Sequence, residues 1–401
     1  MRVRRCKVLY LEPREQVEFD LEVLMAGGSG LRRERRWLAL APHIGKEIEV
    51  SAVERELLGA LSPDEWTDSR QLLPINDTSN AALKRLLQTG LAIGNGKRYK
   101  ILREQDEAMR DVYWHPLAAT LHAFTRWQDA DAVQSMKDTG TETAAELRDT
   151  LGPPPVEAMD RGNAGRRLIL PRTARTDFDQ LLARRATCRN FDAERPLPYA
   201  LFAQLMERVF AAQSHVRVSD DTVFLKKTSP SGGGLHPIEA YLIVQNVDGV
   251  VPGLYHYHAI AHALEPLPAP DMPLHDLAMT AVAQQHWFAN AHVMVLMAPR
   301  YDRSFWKYRN HAKAYRAITL EAGHLSQTLY LAATDAGLGA YITCAINEVP
   351  LEQVFGLDPV SEGALAICGF GWRGEEMVTM ELDPAGEVWR LEEAVGEDSE
   401  G

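Results

Sequence analysis

Residues 137–167 have the composition of a connector, with Gly152-Pro153-Pro154-Pro155 and Gly162-Asn163-Ala164-Gly165 inside one polar stretch. A continuous hydrophobic core is not built through such a tract, so the chain is expected to divide there. Its 401 residues leave room for two or three domains. The expected division is an amino-terminal domain over 1–110, a helical segment and linker over 111–167, and a larger domain over 168–401.

The first hundred residues stand apart in charge. They hold about 17 basic and 14 acidic side chains, so the overall net charge of −12 arises downstream. Apolar alternation predicts strands at 6–11 and 19–25. A helix over 51–61 opens with a capping box, Ser51 and Glu54. A shorter helical segment at 67–73 and a helix over 78–91 follow, and 97–103 reads as a strand. That order is winged-helix-like. DNA binding is a poor fit, because the would-be recognition helix offers only Lys84 and Arg85 among leucines. The Arg32-Arg33-Glu34-Arg35-Arg36 cluster suits an acidic peptide or is a solvated basic turn.

The acidic balance also disfavours broad nucleic-acid or anionic-membrane binding, both of which need a positive field. No uncharged apolar run reaches the ~18 residues of a membrane span. The most apolar stretch, 325–346, carries Gln327 and Asp335 and reads as a buried helix followed by a strand. Met1-Arg-Val-Arg-Arg-Cys-Lys lacks the apolar core of a signal peptide. Cys6, Cys188, Cys344 and Cys368 form no CxxC pair, which disfavours a disulfide framework or structural zinc. A cytoplasmic protein is expected, with no metal site.

A helix is expected over 118–133. In the larger domain, 240–247, 292–298 and 364–369 read as buried strands, and 199–213 and 314–336 as helices, giving an α+β or α/β fold. Four segments there carry chemistry. Arg184-Arg185-Ala186-Thr187-Cys188-Arg189-Asn190-Phe191 offers guanidiniums and a hydroxyl to a phosphate, or is a solvated helix end. Ser229-Pro230-Ser231-Gly232-Gly233-Gly234-Leu235-His236-Pro237 permits close backbone approach, yet has neither a P-loop ending nor a GxGxxG pattern. A flexible surface loop is the alternative, and the following strand favours an ordered turn. In Phe305-Trp306-Lys307-Tyr308-Arg309, an adjacent Lys favours the phenolate of Tyr and so makes a base. Neighbours on a helix point apart, so cooperation requires a turn or a helix start; otherwise the pair is an ordinary surface dipeptide. The next helix carries Tyr315, Arg316, Glu321 and His324. Finally, Gly337-Leu338-Gly339-Ala340-Tyr341 ends that long helix, either as a plain C-cap or as backbone beside a flat cofactor. Gly369-Phe370-Gly371-Trp372-Arg373 follows late in the chain.

In this order the segments resemble the nitroreductase superfamily of flavin enzymes. More narrowly, they resemble the SagB-type dehydrogenases that oxidise azoline rings in ribosomal peptides. The resemblance spans residues 181–373. It rests on Pro-Ser-Gly-Gly-Gly-Leu-His-Pro from Pro230, Glu-Ala-Tyr-Leu-Ile-Val from Glu239 and Gly253-Leu254-Tyr255-His256-Tyr257. Further along it rests on Trp306-Lys307-Tyr308, Leu320-Glu321-Ala322-Gly323-His324-Leu325 and Gly337-Leu338-Gly339.

The resemblance implies a central mixed or antiparallel sheet flanked by helices, FMN as cofactor and a homodimer. It places the phosphate and ribityl chain at Arg185, Ala186, Thr187 and Arg189, with Arg373 as a late phosphate contact. Pro230, Ser231 and Gly232 would lie along the flavin ring, with Gly337 and Gly339 on its other side. Lys307 and Tyr308 match the pair proposed in that branch to remove the ring proton. Three departures from the family pattern stand out: Gly234 where many members carry Asn, Ala186 where a polar residue is frequent, and Arg309 where the branch often has Gly.

The implied activity is FMN-dependent oxidation of thiazoline or oxazoline to the azole in a ribosomal precursor peptide, with a cyclodehydratase complex as the implied partner. The amino-terminal domain would then be a peptide-recognition element. The rivals are an NAD(P)H-dependent nitro or quinone reductase and a non-catalytic peptide-binding scaffold.

Overall fold

The computed structural model describes residues 1–72 and 77–389, so Leu73 at the end of the expected 67–73 segment lies outside the described residues. The chain forms two compact units. The first comprises Met1–Arg126, Arg300–Arg316 and Asp358–Glu362, and the second Trp127–Pro299, Ala317–Leu357 and Gly363–Gly401.

The first unit contains two three-stranded sheets. One orders Thr67–Asp68, Arg2–Arg5 and Ala92–Gly94, and the other Tyr10–Phe19, Leu31–Leu40 and Ile48–Glu49. The helix Ala52–Ala60 starts at the expected capping box, with Ser51 and Glu54 bonded reciprocally. Asp77–Thr89 follows, and Val3, Leu57, Leu58, Leu86, Leu87 and Ile93 share the core between sheet and helices.

Two expected strands are helices instead. At 19–25 the Asp20 carboxylate accepts from the Glu22 and Val23 amides and caps a short helix, Leu21–Met25. At 97–103 a 3-10 turn, Lys97–Tyr99, runs into the helix Lys100–Asp111. Seven residues were too few to tell a period of two from 3.6, and the buried Asp106 and Met109 show which holds. Asp106 is stabilised by Arg110 at 2.8 Å, Arg4 at 3.4 Å and the Lys7 amide at 2.6 Å. The expected 67–73 helical segment is a strand residue pair followed by the 3-10 turn Ser69–Gln71.

The arginine cluster is a strand rather than a turn, and its charge is answered within the unit. Arg33 meets Glu15 at 2.9 Å and Arg36 meets Glu34 at 3.6 Å. Arg85 lies 2.7 Å from the buried Glu54.

Residues 300–316 and 358–362 join this unit through an aromatic cluster. Trp114 packs 4.5 Å from Tyr301 and 4.8 Å from Phe305, and its indole N–H donates to the Val360 carbonyl at 2.8 Å. The Asn310 amide donates to the Tyr113 carbonyl. His122 stacks on Trp114, and its Nε2 is 3.1 Å from the Pro359 carbonyl. Burial holds its pKa down to about 3.

The unfolded chain therefore binds a proton near pH 6.5 that the folded unit refuses, and stability falls as pH drops from there towards 3. The slope from this one ring approaches ~1.4 kcal/mol per pH unit. Urea midpoints between pH 7 and 5 should fall more steeply in the wild type than in His122→Gln. Parallel slopes would show that this ring is not the acid-sensitive group.

The second unit is built on a six-stranded sheet. Its order is Ala263–Pro266, Gly253–His258, Ile238–Val244, Val293–Pro299, Ala366–Gly371 and Gly339–Thr343, and every neighbouring pair is antiparallel. Val293–Pro299 is buried at every residue because both faces of the sheet are covered. Val293, Val295 and Met297 meet Phe202, Leu205 and Leu329 from the helices Tyr199–Phe210 and Ala314–Asp335. Met294, Leu296 and Ala298 meet Leu277, Phe288 and Leu351 on the opposite face.

The fold is thus α+β, with helices flanking an antiparallel sheet, as expected. The division at Arg126 differs from the expected one near 137–167. Trp127 and Ala130 are bound to the second unit by the Glu348 carboxylate at 2.7 Å and the Asn347 side chain at 2.8 Å. The expected 118–133 helix is Pro116–Phe124 followed, after a break, by Ala132–Thr139. Part of the Gly/Pro tract is also helical, in Ala144–Leu151.

Candidate active site

Only the start of the basic segment is a helix end: Arg184 closes the helix and Arg185 is its C-cap. After the helix Asp177–Arg184 the chain becomes extended, and Thr187 bridges in parallel to Ala340 at the sheet edge. The Cys188 amide donates to the Ala340 carbonyl at 2.9 Å. Period-two alternation follows: Ala186, Cys188 and Asn190 are buried, while Arg185, Thr187 and Arg189 share the more open face. Neither Arg185 nor Arg189 has a carboxylate partner among the described residues. Arg185 lies over the Tyr330 ring at 5.4 Å, Arg189 over Phe288 at 6.0 Å, and the Thr187 hydroxyl is 3.0 Å from the Tyr330 hydroxyl. Two uncommitted guanidiniums and a hydroxyl on one face suit a phosphate and its polyol chain.

Cys188 itself is packed away. Burial pushes its thiol up to about 11, so it is an inert hydrophobe rather than a nucleophile.

The glycine-rich segment is an ordered turn clamped to one stripe of the long helix. Ala317, Glu321, His324 and Thr328 are spaced so that they share a helix face. A Cβ on Gly232 would stand 3.2 Å from the Ala317 methyl. The Ser231 hydroxyl donates to Glu321, His324 Nδ1 meets the Pro230 carbonyl at 3.2 Å, and the Ser229 and Thr328 hydroxyls are 2.7 Å apart. Gly233, Gly234 and His236 have positive φ. For His236 this conformation costs of order 1–3 kcal/mol, and the His236 amide donating to Ser231 Oγ at 2.9 Å helps to hold it.

Gly337 and Gly339 have different roles. Gly337 closes the helix in a Schellman arrangement, with Leu338 N–H on the Ala333 carbonyl and its own N–H on the Thr334 carbonyl. The space over its missing Cβ is open, which leaves room for a flat group. Gly339 is closed off: a Cβ there would meet Cys188 Sγ at 2.5 Å. Gly339→Ala should therefore cost ~1–3 kcal/mol through overpacking. Cys188→Gly in the same chain should restore most of that. Equal melting temperatures for wild type and Gly339→Ala would refute the packing account.

Arg373 is already engaged. Its guanidinium pairs with Glu381, and its Nη2 is 3.4 Å from the Ala186 carbonyl. Glu381 is fully buried and also accepts from the Arg189 and Asn190 amides, the Asn190 side chain and the Trp389 indole. The late arginine thus braces the 186–190 segment from behind. Tyr330, Asn190 and Glu381 were not singled out by sequence reasoning. The Tyr330–Thr187 and Asn190–Glu381 contacts join residues more than 140 positions apart, and no local signal marks them.

Lys307 and Tyr308 belong to the first unit. The helix Tyr301–Lys307 ends between them and Tyr308 leaves helical geometry, so they no longer diverge as helix neighbours do. Lys307 Nζ lies 5.5 Å from the Tyr308 ring centroid.

The second unit thus combines a helix-flanked antiparallel sheet, an open basic edge and a helix-clamped glycine turn. Residues 182–372, a little under half of the chain, match the nitroreductase family. Three relatives are similar to parts of this chain. A Methanocaldococcus jannaschii protein named as a nitroreductase, MJ1384, is 29% identical over 185 residues, 46% of this chain and 87% of that protein. The trifolitoxin-processing protein TfxB of Rhizobium leguminosarum bv. trifolii is 32% identical over 149 residues, 35% of this chain and 38% of TfxB. The microcin B17-processing protein McbC of Escherichia coli is 24% identical over 157 residues, 38% of this chain and 57% of McbC. The chain thus spans less than two thirds of either peptide-processing relative. Among the described residues, no helix is long and apolar enough to cross a membrane.

Proposed function

We propose that this protein is an FMN-dependent dehydrogenase that oxidises thiazoline or oxazoline rings in a ribosomally made precursor peptide. The observation that carries the reading is the shared open face of Arg185, Thr187 and Arg189, two of them uncommitted cations. The names of the two peptide-processing relatives direct it towards a peptide.

FMN would supply the two-electron chemistry, taking a hydride from the ring and passing the electrons on to oxygen. Arg185, Thr187 and Arg189 would hold its phosphate and ribityl chain. Pro230, Ser231 and Gly232 would lie along the ring system, with the Gly337 backbone on the other side. Tyr308 takes the proton at the former α-carbon, and the Lys307 ammonium stabilises negative charge on the phenol oxygen. Loss of one proton and one hydride turns the azoline into the aromatic azole.

The reading includes a homodimer, a cytoplasmic setting, a cyclodehydratase partner and peptide recognition by the first unit. The purified protein should show flavin absorption bands, release FMN on denaturation and sediment as a dimer. A colourless protein that FMN cannot reconstitute would refute the redox mechanism. Full FMN occupancy in a monomer would refute only the dimer.

A second reading, a reductase fed by a nicotinamide cofactor, is favoured by the similarity to MJ1384. Rapid anaerobic bleaching of the flavin by NAD(P)H would select it.

A further inference from the structure

The long helix holds a carboxyl that the proposed chemistry does not use. Glu321 is 2% exposed, yet it receives the Ser231 hydroxyl on one oxygen, and its other oxygen is buried without a hydrogen-bond partner. Ser231 is in turn the acceptor for the His236 amide, so one hydroxyl joins the helix to both ends of the glycine turn. His324 and the Ser229–Thr328 contact bind the turn one and two helical turns further on. Gly232 packs against Ala317 one turn before. Glu321 is thus the central anchor of residues 229–236, and it grips Ser231, two residues before the positive-φ pair Gly233 and Gly234.

We propose that Glu321 is the positioning residue of the cofactor turn: by holding Ser231 it fixes residues 229–236 in the conformation that receives a flavin. The flavin half of this statement rests on the FMN reading above, whereas the clamp itself does not.

The chemistry of the site makes the neutral acid the form that fits. An ionised carboxylate here would be a buried anion with one oxygen unsatisfied, a costly arrangement. Burial raises the Glu321 pKa. The Ser231 hydroxyl, the Lys227 ammonium, the Ile238 backbone N–H and the His324 imidazole oppose that shift, and burial outweighs them. The clamped turn therefore binds a proton more tightly than a released turn does. By linkage, the clamp is fully formed at low pH and weakens as pH rises through the Glu321 pKa in the clamped state. Gln at this position reproduces the neutral acid: it accepts from Ser231 and cannot ionise.

The clamp is tested without flavin by hydrogen exchange of the 229–236 amides in wild type, Glu321→Gln, Glu321→Ala and Ser231→Ala. The His236 amide should exchange ~10-fold faster or more in both alanine variants, and at the wild-type rate in Glu321→Gln. Unchanged His236 exchange in both alanine variants overturns the proposal.

The cofactor half is tested by FMN fluorescence titration of the same proteins at pH values from the ordinary carboxyl range upwards. Wild-type affinity should fall as pH rises, Glu321→Gln should bind with a flatter profile, and Glu321→Ala should bind ~10-fold more weakly throughout. A purely structural role would lower affinity without changing the pH slope, so parallel slopes for wild type and Gln overturn the positioning role. A wild type that exchanges as expected but takes up no FMN overturns the flavin reading and leaves the clamp standing.

Discussion

Tyr308→Phe is expected to lower turnover of an azoline-bearing peptide by ~10²–10⁴-fold while FMN stays bound, because removing a general base costs that much. The geometry sets the terms of the test. Tyr308 is the residue at which the helix Tyr301–Lys307 stops, and Lys307 Nζ lies 5.5 Å from its ring. Phe preserves the ring, the packing and the His311 contact at 6.4 Å, and removes only the oxygen that takes the proton. Lys307→Ala should fall in the same direction by a smaller factor, since it removes a stabilising charge rather than the base. The double variant should be little worse than Tyr308→Phe, because the lysine acts through the tyrosine. Flavin content measured on the same preparations separates lost chemistry from lost cofactor. Wild-type turnover in both single variants would sink the base assignment.

Arg185→Ala and Arg189→Ala should each weaken FMN by about 10–100-fold, the worth of ~1.5–3 kcal/mol of charged hydrogen bonding. Neither guanidinium has a carboxylate partner among the described residues. Arg373 behaves differently, because Glu381 already holds it and both are buried. Arg373→Ala should therefore destabilise the domain as well as weaken FMN, leaving a buried carboxylate without its main cation. Riboflavin, which lacks the phosphate, is the control: Arg185→Ala and Arg189→Ala should bind it almost as wild type does. An equal loss for riboflavin and FMN would place the two arginines elsewhere than at the phosphate.

Much of the second unit was legible along the chain. The runs at 240–247, 292–298 and 364–369 lie at the strands Ile238–Val244, Val293–Pro299 and Ala366–Gly371, because a strand buried on both faces reads as continuous apolar sequence. The long helix announced itself by length, and the 229–237 turn by its glycines. The first unit was less legible. Its elements are short, and in the 19–25 and 97–103 windows strand and helix patterns coincide.

Local pattern was enough to settle the periodic, doubly covered elements and the order of the chemistry-bearing segments, since burial period and backbone freedom are properties of neighbouring residues. Three things depended on the assembled chain. The Arg185–Arg189 face exists because Cys188 bonds to Ala340, more than 150 residues on. The glycine turn is a clamp because Glu321, His324 and Thr328 come round on one helical face to meet it. Lys307 and Tyr308 fold with the amino-terminal unit because Trp114 packs on the helix that carries them. Each is a contact between residues far apart in sequence, where burial and hydrogen bonding are decided by partners that no local window contains.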